Sequence, residues 1–234
     1  MKAVGLAVLS VVLVSSAFAQ HTTNTLKNER RGSWDITVQY PVFRGSDGLT
    51  RLANQTVSRW ANQQFQEFLS ESRSEVPELR KMNPNVAYYL SISPEVTMDS
   101  SRIKSMVFTV SQYTGGAHPV TYFKAFNFGY VSGKPASLQL YDLFSPGADF
   151  ATQASNGVLS RLMDNEQAPW VQDGEVRELD SQTLEMFTIG RNWITWYGGN
   201  YVFGPYVAGT VEVRVPFSEL PGLNPRGPLQ TLLR

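Results

Sequence analysis

The chain of 234 residues contains no cysteine and only two histidines, His21 and His118. The absence of cysteine excludes a disulfide scaffold, a thiol nucleophile and thiolate metal sites. Two histidines leave little material for a histidine-rich metal centre, and no metal or phosphate motif such as H-E-x-x-H is present. We therefore predict neither a bound metal nor a cofactor.

The sequence also lacks an excess of charge of one sign, since 20 lysines and arginines are balanced by 20 aspartates and glutamates. Nucleic-acid-binding proteins need a basic face, and so do proteins that a polybasic patch holds on a membrane. The composition therefore argues against both classes. The high aromatic content favours a β-rich globular domain with a binding surface.

Long apolar runs are absent except at the N-terminus. Residues 1–19 begin with one cation, Lys2, continue with an apolar stretch over residues 4–14, and close with the small-x-small pattern Ala17-Phe18-Ala19. This order is typical of a secretory signal peptide, and the stretch is too short to span a bilayer. We predict cleavage before Gln20 and a periplasmic or secreted protein with no membrane span afterwards. An uncleaved anchor is the alternative.

The rest of the chain predicts a polar, flexible lead-in over residues 20–32 and a single domain over residues 33–234. Apolar residues at helical spacing predict a main helix over residues 49–72, and residues 149–164 predict a second helix. Three β-rich runs with short links predict an antiparallel meander. We expect an α+β fold, an antiparallel β-sheet with the two main helices packed on it. The predicted strands cover residues 33–43, 85–99, 102–114, 119–130, 183–197 and 201–215.

Catalytic motifs are scarce. Residues 101–104 match S-x-x-K, but they lie at a predicted hairpin and lack the partner motifs S-D-N and K-T-G. Carboxylate pairs such as Glu175 and Glu178 lie in polar stretches, which indicates solvated surface rather than an acid–base pair. A serine hydrolase would have to use His118, and nothing near it marks a nucleophile. We therefore predict a non-catalytic protein and rank a hydrolase last.

Two segments stand out as candidates for recognition. Residues 113–119 place two glycines at a strand end and His118 before a proline, which indicates either a shaped hairpin loop or a recognition loop. Residues 193–209 hold six large aromatic side chains. Tryptophan and tyrosine are enriched at interfaces and also stack on sugar rings. These aromatic residues either all belong to the core or partly form a binding surface.

The two segments, in this order, resemble a family of exported bacterial envelope domains of unknown function, the DUF family numbered 3298 with its companion 4163 region. Further matching stretches are ITVQYP at residues 36–41, GKPASLQLYDLF at residues 133–144 and FGPYVAGTVEVRVPFSEL at residues 203–220. The domain then comprises a companion-like part, a C-terminal motif part and a proline-rich tail, at residues 33–130, 131–220 and 221–234.

This family occurs in the extracellular part of a lysozyme-sensing anti-sigma factor and beside the catalytic domain of a peptidoglycan deacetylase. The resemblance implies an antiparallel α+β fold and a non-catalytic role at the cell envelope. It also implies a partner, either a lysozyme-like envelope protein or peptidoglycan. Six of the candidate binding residues are family-motif positions: Gly115, Gly116, His118, Pro205, Tyr206 and Gly209. The others come from the two segments themselves: Tyr113, Trp196, Tyr197 and Tyr201.

Overall fold

The structure is a computed structural model that describes residues 21–31, 34–82 and 88–233, and the predicted signal peptide lies outside them. The predicted α+β class is confirmed. The strands are β1 (His21–Arg31), β2 (Trp34–Phe43), β3 (Tyr88–Asp99), β4 (Lys104–Tyr113), β5 (Val120–Val131), β6 (Lys134–Ser137), β7 (Phe187–Ile189), β8 (Trp193–Gly198) and β9 (Val211–Pro216). The helices are α1 (Gly48–Met82), α2 (Phe150–Leu162), α3 (Pro169–Gln172) and α4 (Ser181–Leu184), with 3₁₀ turns at Leu140–Leu143, Tyr206–Ala208 and Phe217–Glu219.

The larger sheet has six strands in the order β1-β2-β3-β4-β5-β6. The predicted meander is confirmed, because β3, β4 and β5 pair as antiparallel neighbours. The sheet as a whole is mixed rather than antiparallel, since β2 and β3 pair in parallel from Trp34 opposite Tyr88 to Val38 opposite Ile92. A parallel pair needs a long crossover connection, which α1 provides.

The polar stretch predicted to be a flexible lead-in, residues 20–32, contributes the edge strand β1 instead. This strand pairs antiparallel with β2, starting at His21 opposite Phe43. His21 Nδ1 also lies 3.2 Å from Asp99 Oδ2 at the end of β3. The sequence hides this strand because an edge strand is held by backbone hydrogen bonds and needs no alternating apolar pattern.

The helix α1 packs on the larger sheet and is longer than the predicted span of residues 49–72. Asp47 caps its first turn, because Asp47 Oδ1 accepts the Thr50 N–H at 3.0 Å and Oδ2 accepts the Thr50 hydroxyl at 2.6 Å. These hydrogen bonds favour the charged carboxylate, so the pKa of Asp47 lies below its ordinary value. The buried stripe of the helix recurs at helical spacing and comprises Leu49, Ala53, Val57, Ala61, Phe65 and Phe68.

The smaller sheet contains β7, β8 and β9 in antiparallel order, and α2 packs on β9. Gly157 allows this packing, because a β-carbon at that position would lie only 2.9 Å from Val215 Cγ1. The predicted second helix, residues 149–164, corresponds to α2. The tail beyond residue 220 continues this core by burying Leu223 and Leu229.

Buried polar side chains tie the two sheets together. Asn127 Nδ2 on β5 donates to the Phe187 carbonyl on β7 at 2.7 Å, and the Ile189 N–H on β7 donates to Ser105 Oγ on β4 at 2.8 Å. The Ser105 hydroxyl in turn donates to Asn127 Oδ1 at 2.6 Å. The two sheets are therefore joined by hydrogen bonds as well as by apolar packing. Among the described helices, none has the length and apolar character that crossing a bilayer requires.

Candidate functional site

The two segments singled out in the sequence, residues 113–119 and 193–209, contribute to loops that meet beside the larger sheet, at residues 114–119 and 199–210. His118 from the first loop stacks on Tyr206 from the second, with ring centroids 3.8 Å apart and ring planes inclined by 23°. The Tyr201 hydroxyl oxygen lies 3.2 Å from His118 Nε2. The fold therefore brings together three of the predicted site residues, His118, Tyr201 and Tyr206, which we call the His118 cluster.

Hydrogen bonds at both ring nitrogens fix the orientation of His118. Its Nδ1 lies 3.0 Å from the Pro119 carbonyl oxygen, and because a carbonyl can only accept, Nδ1 carries the proton. In the neutral imidazole Nε2 is then an acceptor, so the Tyr201 hydroxyl donates to it. The ring thus acts as a structural link between the two loops.

Asn200 joins the same loops through the backbone. Its side-chain Oδ1 accepts the Thr121 N–H at 2.9 Å, and its own N–H donates to the Thr121 carbonyl at 3.1 Å. The side-chain Nδ2 also lies 3.5 Å from the Tyr206 carbonyl oxygen. Residues 199–210 are therefore held against the start of β5 immediately beside the His118 cluster.

Left-handed backbone conformations shape both loops. Gly115 has φ of 91° and Gly209 has φ of 80°, where any side chain would be strained. Gly116 is exposed, and a β-carbon there would meet no atom within 4 Å. Tyr201 has φ of 66° although it is not a glycine, and such strained residues concentrate at functional sites. Gly115 and Gly209 therefore serve the backbone, whereas the conformation of Tyr201 sets the direction of an aromatic side chain.

The loops expose a set of apolar and aromatic side chains. Val207 is 90% exposed and Tyr201 51%, which makes them two of the most exposed large hydrophobic residues in the described chain. Single exposed apolar residues are common, but clusters of them mark interaction sites. We call this surface the loop patch, formed by His118, Tyr201, Pro205, Tyr206 and Val207.

Trp196 and Tyr197, two of the predicted binding residues, lie in the core rather than on this surface. Trp196 is fully buried, and its indole N–H donates to the Leu184 carbonyl at 3.2 Å. The Tyr197 hydroxyl lies 3.0 Å from Thr188 Oγ1, and burial raises the pKa of Tyr197 to about 12. Both residues lie on β8 and point to opposite faces of the strand. Because both faces are packed against other parts of the protein, neither side chain reaches solvent.

Tyr113 also lies apart from the His118 cluster in its contacts. It is the last residue of β4, and its ring stacks on that of Tyr89 on β3 with centroids 6.4 Å apart. The ring contact of Tyr113 is therefore with a neighbouring strand of the larger sheet. Cross-strand aromatic pairs of this kind stabilise a sheet, which is the role that the structure assigns to Tyr113.

A cleft of about 680 Å³ adjoins the loop patch, and Tyr201 belongs to both. Its walls include the aromatic rings of Tyr122, Phe123 and Phe203. The segment before α4 lines the cleft with three carboxylates against one cation. We call it the acidic cleft, and its charged residues are Glu175, Arg177, Glu178 and Asp180.

Asn200, Val207 and the acidic cleft are functional features that the sequence does not predict. The strand predicted over residues 201–215 is wrong in its first part, because residues 201–210 form a loop with a 3₁₀ turn and only Val211–Pro216 is strand. The signal for a loop was present in the run Gly198-Gly199-Asn200 and in Pro205, which interrupt a strand pattern. In the described ranges no three histidine, aspartate or glutamate side chains are grouped to hold a metal ion.

Comparison with known families divides the chain into two matched regions. Residues 27–121 match the family described as Deacetylase PdaC, and residues 141–218 match the family described as Protein of unknown function (DUF3298). The peptidoglycan-N-acetylmuramic acid deacetylase PdaC of Bacillus subtilis (strain 168) is 23% identical over 216 residues. The match covers 91% of this chain and 44% of that protein, so the chain spans less than half the length of this relative.

A solved structure shares the fold of this chain. A DUF3298 family member from Bacteroides fragilis NCTC 9343 superposes with a TM-score of 0.61 at 18% identity, over 92% of this chain and 98% of the other. A DUF3298 family protein from Pseudomonas aeruginosa PAO1 has a TM-score of 0.46 at 16% identity, over 87% and 91%. The two family matches confirm the resemblance seen in the sequence: the N-terminal part of the chain is similar to the PdaC family and the C-terminal part to the DUF3298 family.

Proposed function

We propose that this protein is a non-catalytic binding domain of the cell envelope, and that the loop patch docks a protein partner. The observation that carries the proposal is the exposure of Val207 and Tyr201 on a loop that the His118 cluster holds against its neighbour. Tyrosine is frequent among the residues that dominate binding energy at protein interfaces. The family matches associate the chain with the envelope, which supports a partner found there.

The rigidity of the two loops supports binding. A loop that is ordered before binding loses less conformational entropy on association, so more of its contact energy appears as affinity. The Asn200 bonds to Thr121 and the stacking of His118 on Tyr206 provide this order. The apolar groups are thus presented on a fixed surface.

The acidic cleft supports a partner with a basic surface. Glu175, Glu178 and Asp180 are exposed beside Arg177, which leaves the cleft with a net negative charge. Charge complementarity of this kind speeds association and selects among partners. A lysozyme-like muramidase, which the resemblance to the anti-sigma factor suggests, is the first partner to test.

Calorimetric titration of the purified protein with a C-type lysozyme tests the proposal. We expect saturable binding that Tyr206→Ala weakens by about 30-fold, equivalent to about 2 kcal/mol at a central aromatic anchor. Val207→Ser should also weaken binding with no effect on stability, because Val207 is almost fully exposed. Met163→Ala is the matched control, since Met163 is 50% exposed and lies outside the loop patch. Equal binding by all four proteins would contradict the assignment of the surface.

A glycan ligand is the second candidate, which the name of the Bacillus relative and the aromatic walls of the acidic cleft favour. Trp196 and Tyr197 are unavailable for stacking, so Tyr201 is the residue expected to contact a sugar ring. Sedimentation with purified peptidoglycan, reversed by soluble muropeptides and by Tyr201→Ala, would favour this candidate. Absence of binding to both lysozyme and cell wall would refute both assignments.

A further inference from the structure

A second cleft, of about 710 Å³, shares no lining residue with the loop patch or the acidic cleft. The β5–β6 turn, the 3₁₀ turn at Leu140–Leu143, the segment that follows it and residues 224–230 of the tail form its walls. Three charged residues line it, namely Arg102, Asp142 and Arg226. Two guanidinium groups therefore face one carboxylate, and the cleft carries a net positive charge.

Arg102 is the unusual residue of this cleft. Its Nε is buried and has no hydrogen-bond partner, and no other buried side-chain nitrogen or oxygen in the described ranges is left unpaired. Its guanidinium carbon lies 5.4 Å from the centre of the Tyr130 ring. This cation–π contact stabilises part of the positive charge, but the ring accepts no conventional hydrogen bond. Native proteins pair almost all buried polar groups, so an unpaired donor on a cationic side chain calls for a specific reason.

The other charged groups leave Arg102 and Arg226 available. Asp142 Oδ2 already accepts the Gln139 N–H at 2.9 Å, which fixes the carboxylate at the start of the 3₁₀ turn. Arg226 is exposed, and no ion pair involves it or Arg102 among the described residues. The cleft is thus lined by two arginines that have no carboxylate partner. Their planar guanidinium groups match the two-oxygen geometry of carboxylate and phosphate groups.

We propose that this cleft binds an oxyanion, a carboxylate or a phosphate, carried on a polar body of sugar size. Arg102 and Arg226 pair with the anion. Tyr141, whose ring is 56% exposed at the cleft, packs against the body of the ligand. Ser145 and Asn224 supply further polar contacts along the wall. This site is independent of the loop patch, so its ligand and the protein partner can bind at the same time.

Matched ligands separate the anion from the body that carries it. N-acetylmuramic acid is tested against N-acetylglucosamine, which lacks the carboxylate, and glycerol 3-phosphate against glycerol. Calorimetry and thermal shift should detect binding of at least one of the two anions and of neither neutral compound. Binding of N-acetylmuramic acid would show that the cleft takes a carboxylate. Binding of glycerol 3-phosphate would show that it takes a phosphate. No binding of either anion, or equal binding of the neutral compounds, would overturn the proposal.

Substitutions then assign the arginines. Arg102→Gln should weaken anion binding by about ten-fold or more, and Arg102→Lys should weaken it less, because lysine keeps the charge but loses the planar pair of donors. Arg226→Gln gives an independent test at an exposed position, and Arg191→Gln, exposed and outside the cleft, is the control. Unchanged anion affinity in both Arg102→Gln and Arg226→Gln would refute the site.

A further readout distinguishes a binding role from a structural one. Without ligand, Arg102→Gln should unfold at nearly the same temperature as the unchanged protein, because removal of a buried donor that has no partner offsets the lost contact with the Tyr130 ring. A purely structural arginine predicts the opposite, a loss of stability without any change in anion affinity. That result would overturn the proposal.

Discussion

Replacement of Asn200 by alanine is expected to separate the two loops that carry the loop patch. The substitution removes the Oδ1 acceptor of the Thr121 N–H, a hydrogen bond of 2.9 Å, and leaves that partly buried donor unpaired. Loss of such a bond costs about 1–2 kcal/mol in the free energy of unfolding. The backbone bond from the Asn200 N–H to the Thr121 carbonyl is retained, so the loop weakens without unfolding the domain.

Urea unfolding followed by tryptophan fluorescence measures this change. For a domain of this size, about 1–2 kcal/mol corresponds to a fall of about 2–8 °C in the melting temperature. The urea dependence of the free energy should stay the same, because the surface exposed on unfolding does not change. Amide hydrogen exchange should show the local effect directly, as faster exchange of the Thr121 N–H.

Asn200→Asp is the matched control, since a carboxylate keeps the acceptor for the Thr121 N–H and loses only the long contact from Nδ2 to Tyr206. We expect its stability to lie within about 0.5 kcal/mol of the unchanged protein. If Asn200→Ala and Asn200→Asp have equal stability and equal exchange at Thr121, the side-chain bond does not hold the loops. The reasoning about their rigidity then fails.

Three further predictions concern packing and pH. Gly157→Ala gains helix propensity of about 1 kcal/mol, but its β-carbon would lie 2.9 Å from Val215 Cγ1, so calorimetry should show a net loss of about 1 kcal/mol. Asp47→Ala should cost about 1 kcal/mol, and the cap formed by Asp47 should be lost as pH falls below 3.8, through its lowered folded-state pKa. The raised pKa of Tyr197 gives stability that is present below pH 10 and lost as pH rises through about 12, which the absorbance of tyrosinate can follow.

A second substitution tests the physical cause given for each of these three predictions. Val215→Ala should restore much of the loss in Gly157→Ala, and failure to do so would place the cost elsewhere. Asp47→Asn keeps the cap without a titrating group, so it should lose the acid dependence but little stability at neutral pH. Tyr197→Phe should abolish the tyrosinate transition near pH 12, and its persistence would mean that another tyrosine causes it.

Local patterns predict those elements whose burial is repetitive. Helix α1 follows from apolar spacing, and the β3–β4–β5 meander follows from short links that permit only antiparallel pairing. The parallel pairing of β2 with β3 could not be predicted, because register across a long crossover depends on tertiary packing. Strand β1 was hidden for a similar reason, since its hydrogen bonds go to β2 and its sequence is polar.

The candidate site is likewise predictable from the sequence only in part. The sequence singles out both segments and three residues that meet, His118, Tyr201 and Tyr206, because glycine, proline and aromatic residues are conspicuous there, although it predicts strand where residues 201–210 form a loop. It cannot show that Trp196 is buried, since the two faces of a strand look alike until their packing is known. It also cannot reveal that Arg102 lacks a partner, because pairing depends on residues far away in the chain.

The buried hydrogen bonds between the two sheets determine how the chain can be divided. A fragment that ended before β7 would leave the Asn127 amide and the Ser105 hydroxyl without their partners, Phe187 and Ile189. The parts before and after such a cut would then each expose polar groups and apolar surface that the other part covers in the intact domain. Cleavage of the β5–β6 turn is therefore expected to yield two pieces that reassociate, and the protein becomes a natural candidate for a split reporter.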